Sequence, residues 1–192
     1  MTHTLSFHLF TQPPNASCQD ITVVLDSDGN GHVQNAMIAD DGSYDNCGIA
    51  WMEVAPSLFS CDDVGEPQPI VLAVMDVNGN LDFCDSMATI INEPPVWEGS
   101  FTSGVAVFVD DKTFAFQVNV SDPEGQDLSY AWDVDCINGD TVIFFAHSEQ
   151  NEAQLVFPPG SDPNVCMVHV QVCDICDSCF EDSIEVSLDA KP

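Results

Sequence analysis

Short runs of β-branched and aromatic residues follow one another along this chain at close spacing: ITVVL, HVQNAMI, GIAWMEV, PIVLAVM and MATII in the first half, then GVAVFV, TFAFQVNV, LSYAWDV, TVIFFA, AQLVF, CMVHVQV and DSIEVSL. Between them lie clusters of Asn, Asp, Gly and Pro, the residues that supply turn geometry. No segment carries the apolar periodicity of a three-turn amphipathic helix, so the pattern predicts an all-β fold of packed sandwiches. At 192 residues the chain can hold two such domains of about 90 to 100 residues, each burying its own core.

The division is marked by NEPPVWEG at residues 92–99, where two prolines deny ladder hydrogen bonds and favour an extended link. The expected organisation is an N-terminal strand at 1–12, a first sandwich at 13–93 and a second at 94–192. An internal echo supports the first of these boundaries. TLSFHLFTQPP near the start and SMATIINEPP before the second domain both read as a strand, two polar residues and Pro-Pro. Residues 4–10 therefore read as the last strand of a preceding module. Alternation places Leu5, Phe7 and Leu9 on one face, which must be covered by a sheet edge of the same chain or by that of a neighbouring copy through strand addition.

Composition narrows the function classes. The formal charge is −30, from 32 Asp and Glu against two basic residues, Lys112 and Lys191. Nucleic acid and anionic membranes are excluded as partners, because phosphate binding requires Lys and Arg. With 45% hydrophobic residues the acid sits on a folded body, and cations are its natural counterpart. Nine cysteines scattered among strand-like runs point to an oxidising, extracellular setting. No apolar run reaches the ~20 residues of a membrane-spanning helix, and MTHTLSFHLF lacks the basic start of a signal peptide. The chain is expected to be a mature piece of a secreted protein.

Residues 26–32, DSDGNGH, have the look of an EF-hand loop with Asp26, Asp28 and Asn30 at alternate positions and Gly31 at the sixth. The twelfth position is Met37, where a bidentate Glu is required, and both flanks read as strands. A hairpin turn is the expected structure. No G-x-S-x-G, H-E-x-x-H or phosphate-binding glycine loop occurs, and the five histidines (His3, His8, His32, His147, His169) are scattered. Trp51 and Trp132 fall mid-strand, where sandwich cores take a Trp, and Trp97 beside the linker is expected at an interface or exposed.

The run containing DNCGI at 45–49, FSCDDVG at 59–65, DVNGN at 76–80 and Cys84 at the head of the last strand resembles hyalin-repeat-like (HYR-like) modules. These occur in tandem in surface proteins and adhesins of Bacteroidetes-type bacteria, and the resemblance covers residues 18–91. SDPEGQDLSYAWDVD at 121–135 resembles a polycystic-kidney-disease (PKD) or cadherin-like repeat. Both resemblances imply two tandem immunoglobulin-like β-sandwiches without catalysis of their own, although a fold alone does not give a function. In that topology the first and last strands start at the same end, so Cys18–Cys84 forms a clasp. The resemblance implies a Cys47–Cys61 bridge between middle segments. By the same logic Cys136 pairs with Cys166 and Cys173 with Cys179 across a hairpin, leaving Cys176 at the tip as a possible crosslink to another copy. CDICDSC could instead hold zinc or an iron–sulfur cluster with His169 or Cys166.

Cadherin-like proteins place calcium at module junctions, and the ion needs about 6 to 8 oxygens. The resemblance thus implies a structural Ca2+ site from Asp26, Asp28, Asn92, Glu93, Asp122, Glu124 and Asp127. A second set lies at the far end of the first sandwich: Asp40, Asp41, Asp45, Asp76 and Asn78. Asn15 and Asn119 stand in N-glycosylation sequons, and Ser86, Thr141 and Ser183 match the O-glycosylation pattern of the bacterial group. The expected function is a non-catalytic building block of an extracellular surface fibre or adhesin, calcium-stiffened and polymerising through its N-terminal strand. Its expected partners are neighbouring copies or modules, with glycans or receptors if it is instead a binding module of a secreted protein.

Overall fold

The computed structural model describes residues 12–99, 107–110, 113–137, 142–146, 151–157 and 164–188. The backbone separates into two compact units, Met1–Asn92 and Glu93–Pro192. Residues 1–11, which contain most of the expected N-terminal strand, lie outside the described residues, as do Thr141 and His147.

In unit 1 the strands are β1 (Ile21–Val24), β2 (Asn30–His32), β3 (Ile49–Ala55), β4 (Leu58–Ser60), β5 (Gln68–Asp76) and β6 (Leu81–Ile91). One sheet runs β1-β6-β5-β3 and the facing sheet is β2-β4. β1 lies parallel to β6, with Ile21 opposite Ala88, while β5 is antiparallel to both β6 and β3. The alternation read from the sequence sets the faces: Ile70, Leu72 and Val74 of β5 are buried, as are Ala88 and Ile90 of β6 and Val54 of β3. Buried with them are Ile21 and Val23 of β1 in the same sheet, Leu25 and Val33 on either side of β2, and Phe59 of β4 in the facing sheet. HVQNAMI does not continue as a strand. Asn35 accepts a hydrogen bond from the Met37 N–H and caps a 3-10 turn over Ala36–Ile38, a local bond that outcompetes the ladder.

Gly31 in β2 has no room for a side chain: a Cβ there would lie 2.9 Å from Val23 Cγ1 and 3.1 Å from Leu25 Cδ2. Overpacking of this kind costs about 1 to 3 kcal/mol. Gly31→Ala is therefore expected to lower the denaturation midpoint of the chain, whereas Gly65→Ala, with nothing near its Cβ position, bears only the strain of its positive φ. Paired urea titrations check the difference.

Unit 2 contains β7 (Val96–Trp97), β8 (Val107–Asp110), β9 (Thr113–Gln117), β10 (Val120–Ser121), β11 (Ser129–Cys136), β12 (Ile143–Ala146), β13 (Glu152–Val156), β14 (Asn164–Cys173) and β15 (Cys179–Leu188). Its sheets run β12-β13-β9-β8 and β11-β14-β15, with β7 paired to β10. In chain order from β8, leaving aside the two-residue β10, these are strands A to G of an immunoglobulin constant-type sandwich, with A-B-E-D on one sheet and C-F-G on the other. Unit 1 keeps strands B, C, E, F and G of this plan as β2 to β6, with its first strand moved beside its last and, among the described residues, no strand D. Between the sheets of unit 2 lie Phe114, Phe116, Leu155, Phe157 and Val168, the Phe114 and Phe157 rings edge to face at 5.8 Å.

Trp132 packs against the core as expected, and Trp97 lies half-buried, its ring centroid 5.0 Å from that of Phe180. Trp51 does not fill a core. It is 42% exposed, because Met52 and Val54 take the inward positions of β3 and the alternation turns Trp51 outward.

Candidate functional site

The acids singled out by sequence sit mostly in tight turns of one design, used four times. Those at Asp76 and Asp174 close the β5–β6 and β14–β15 hairpins, whereas those at Asp26 and Asp122 join strands of different sheets, so DSDGNGH does not close the expected hairpin of paired strands. Asp26, Asp76, Asp122 and Asp174 each begin a turn in which the Oδ1 atom accepts the backbone N–H of residues two and four positions on. The distances run from 2.8 to 3.0 Å. In each, the backbone carbonyl of the same Asp accepts the N–H of the residue three positions on. That residue has a left-handed φ: Gly29 at 73°, Gly79 at 88°, Gly125 at 79° and Asp177 at 60°. The arrangement is a type I turn closed by a left-handed residue, with the carboxylate tying the loop from inside. DSDGN is thus one member of a series with DVNGN, DPEGQ and DICDS.

This accounts for the second candidate set. Its loops do meet, since the Val77 N–H donates to the Gly48 carbonyl at 3.1 Å. Their carboxylates, however, face their own backbones. Asp40 accepts from the Ser43 and Gly42 amides and Asp45 from those of Cys47 and Gly48. Asp76 is 1% exposed and also accepts from Asn80 Nδ2 at 2.7 Å. Asp41 joins Ser17 through its backbone N–H, and Asn78 donates its amide to Asp76. Among the described residues no three His, Cys, Asp or Glu side chains come together in a group able to hold a metal ion.

Burial works to raise the Asp76 carboxyl. Hydrogen bonds from the Asn80 side chain and from the Asn80, Asn78 and Gly79 amides outweigh it, and the group sits below its ordinary value. Asp40 is lowered in the same way: burial opposes, and the Ser43 side chain with the Ser43 and Gly42 amides prevails. A folded value depressed below the unfolded one contributes stability above about pH 4 that is lost as pH falls through the folded value. Relief of the net negative charge acts in the opposite sense, so the comparison must be with a variant. Asp76→Asn is expected to flatten the loss of stability between about pH 4 and pH 2, as read from urea midpoints across that range.

The first candidate set divides between the units. In unit 1 the Leu25 N–H donates to the Ile91 carbonyl at 3.0 Å, so the Asp26 turn lies at the end that carries Asn92, as the topology argument expects. Asp28 is exposed on that turn. In unit 2 the backbone N–H of Glu93 donates to Glu124 Oε1 at 3.3 Å, which joins the linker to the DPEGQ turn. Two oxygens here are unusual: Asp122 Oδ2 and Glu124 Oε2 are both buried and accept no hydrogen bond. A buried carboxylate oxygen without a donor is costly. A hard cation that takes oxygen ligands would remove that cost, although the corner brings two such oxygens and no group of three acidic side chains. Asp127 is exposed beyond it.

Three disulfides follow the predicted pairing: Cys18–Cys84, Cys136–Cys166 and Cys173–Cys179. Cys136 and Cys166 sit opposite each other in the β11–β14 register, and Cys173 and Cys179 close the β14–β15 hairpin. With Cys166, Cys173 and Cys179 oxidised, CDICDSC is not a zinc or iron–sulfur site. The Cys47–Cys61 bridge does not form: Cys61 is disulfide-bonded, and Cys47 is not. Cys47 precedes β3 at the Asp76 end, whereas Cys61 follows β4, whose Ser60 pairs with Asn30 at the Asp26 end. The length of β3 separates them by about 20 Å, and bridged Cα atoms lie within about 7 Å. Cys176 is also disulfide-bonded, so its expected role as a crosslink to another copy is not available.

Of the glycosylation candidates, Asn15, Asn119 and Ser183 are exposed. Ser86 is 9% exposed on the inner face of β6 beside Ala88 and Ile90, where no glycan can be accommodated.

No protein-family model matches the chain, and no curated protein matches it in sequence. The HYR-like resemblance therefore finds no support from a family model. Among solved structures, the extracellular cadherin domains 1–5 of protocadherin gamma B2 align over 91% of this chain and 39% of that one, at 13% identity and TM-score 0.36. The human desmocollin-1 ectodomain aligns over 94% and 38%, at 10% and 0.31. An endo-fucoidan hydrolase of glycoside hydrolase family 107 aligns over 93% and 35%, at 15% and 0.30. The chain spans less than two fifths of the length of each of these three. At such TM-scores the likeness decides nothing, and the immunoglobulin-like plan rests on strand order and register.

Proposed function

We propose that the chain is a non-catalytic structural segment of an extracellular surface fibre or adhesin, built from two sandwich modules. The observation that carries the reading is the covalent locking of both units: Cys18–Cys84 in unit 1, and Cys136–Cys166 and Cys173–Cys179 in unit 2. Such bridges persist outside the reducing cytosol, and strands held in this way suit a load-bearing or adhesive module. The net charge of −30 adds solubility and an affinity for cations. Calcium at the corner of Glu93, Asp122 and Glu124 is the cofactor of this reading, supported by the two orphaned carboxylate oxygens. Bound there, the ion would tie the linker to the DPEGQ turn. Neighbouring copies are its partners, joined by addition of the strand that residues 4–10 encode. Antibody labelling of intact, unpermeabilised source cells tests the location: surface labelling is expected, and labelling only after permeabilisation would contradict it.

A second reading, a carbohydrate- or receptor-binding module of a secreted protein, is favoured by one feature. A groove of about 460 Å³ crosses the outer face of β11-β14-β15, bordered by Asp133, His169, Gln171, Glu181 and Ser183. Its polar lining suits a hydroxyl-rich ligand. Glycan-array binding that is lost in Gln171→Ala would favour this reading over the first.

A further inference from the structure

β3 ends its sheet, and among the described residues β5 is its only strand partner. An edge strand offers unpaired N–H and C=O groups to any extended segment that can reach them, and proteins ordinarily protect such edges with charge, proline or a covering loop. Among the described residues no strand covers that edge, whose one charge is Glu53, and it runs beside a groove of about 460 Å³ between β3 and the 3-10 turn. Its walls are Gln34, Asn35, Ala36 and Met37 on one side and Ile49, Ala50, Trp51 and Met52 on the other. Trp51 is 42% exposed and Met37 66%, so apolar surface is presented where a strand would lie.

Charge identifies the occupant. In a chain with 32 acids, none of the residues lining this groove is ionisable. The longest acid-free run of the same chain is residues 1–19, which contains the alternating Leu5, Phe7 and Leu9. Two bodies of charge −30 repel one another. Contact between copies is therefore favoured where an acid-free segment meets an acid-free groove.

We infer that the free edge of β3, with the Trp51–Met37 groove, is the acceptor site for residues 4–10 of a second copy of this chain, which add as a strand with Leu5, Phe7 and Leu9 turned toward the groove. This rests on the strand-addition reading given above and names its receiving surface. Backbone pairing with β3 supplies affinity, and contact with Trp51 and Met37 supplies specificity.

Two variants of the full chain separate donor from acceptor. Phe7→Asp removes the donor's apolar face, and Trp51→Glu puts a charge in the acceptor. Trp51 is exposed and outside the buried core, and far-ultraviolet circular dichroism with urea midpoints checks the folding of both variants. By light scattering coupled to size exclusion, the unaltered chain is expected to form a concentration-dependent series of multimers. Each variant alone is expected to bind its own kind at least about 30-fold more weakly, the scale of a lost interface anchor. Mixed, the two are expected to give a one-to-one dimer, because each retains the half the other lacks. Multimers unaffected by Trp51→Glu would overturn the β3 groove as acceptor while leaving strand addition standing. A monomeric unaltered chain would overturn both, including the case in which the N-terminal segment folds back on its own groove.

Discussion

Removing the bridges one at a time is expected to destabilise the units, least for the bridge that closes the shortest loop. Cys18→Ala/Cys84→Ala opens a loop with a sequence separation of 66 and is expected to cost unit 1 about 4 kcal/mol. Cys136→Ala/Cys166→Ala, with a separation of 30, costs about 3.5 kcal/mol from loop entropy alone. Cys173→Ala/Cys179→Ala closes only six positions and costs about 2 kcal/mol. The middle pair carries an additional loss, because Cys166 is fully buried among Phe114, Leu155, Phe157 and Val168, and alanine leaves a void there. In a unit of about 100 residues a loss of 3.5 kcal/mol lowers Tm by roughly 15 °C or more. Calorimetry of the three double variants measures the order; equal effects, or the largest loss in the short hairpin, would show that the bridges do not act by constraining the unfolded chain.

Calcium is expected to give the second large effect. If Asp122 Oδ2 and Glu124 Oε2 are satisfied by the ion, then calcium at a hundredfold excess over Kd adds about 2.7 kcal/mol and raises the Tm of unit 2 by roughly 10 °C or more. Asp122→Asn is expected to abolish that shift while preserving the turn, since an amide oxygen can still accept the Glu124 and Gln126 N–H bonds. Glu124→Gln is expected to weaken it. Asp76→Asn leaves it unchanged, because the Asp76 oxygens are already engaged by backbone amides and by Asn80. An unaltered Tm at millimolar calcium removes the ion from the account.

The strand plan was legible in the sequence because period-two alternation over β5 and over β13 to β15 is a direct consequence of having one buried face. Pro94 and Pro95 mark the linker for a related physical reason, since neither can donate a ladder hydrogen bond. Residues 36–38 were not legible, because a single side-chain bond from Asn35 turned an apolar run into a 3-10 turn. Trp51 was misplaced because aromatic character alone does not say which face of a strand is buried. Its neighbours Met52 and Val54 carry that information.

The acidic loops gave the clearest lesson. Asp and Gly at fixed spacing were visible in DSDGN, DVNGN and DPEGQ, and the fourth copy, DICDS, was hidden by Asp177 in the left-handed position that Gly occupies in the other three. Spacing alone could not tell a carboxylate with both oxygens engaged from one with an oxygen left without a donor. Hydrogen bonding separates them: Asp76 has its oxygens engaged, and the Asp122–Glu124 corner has two that are not. The Cys47–Cys61 pairing failed for a reason of length, since the resemblance placed the two in neighbouring segments but did not say that β3 would hold them at opposite ends.

Disulfide mapping of the protein taken from its own source tests the central claim most directly. Cells are quenched in acid and free thiols alkylated before digestion, and linked peptides are identified by mass spectrometry. A covalently locked extracellular pair of sandwiches predicts Cys18–Cys84, Cys136–Cys166 and Cys173–Cys179 as linked peptides. Recovery of those six cysteines as alkylated thiols would contradict it.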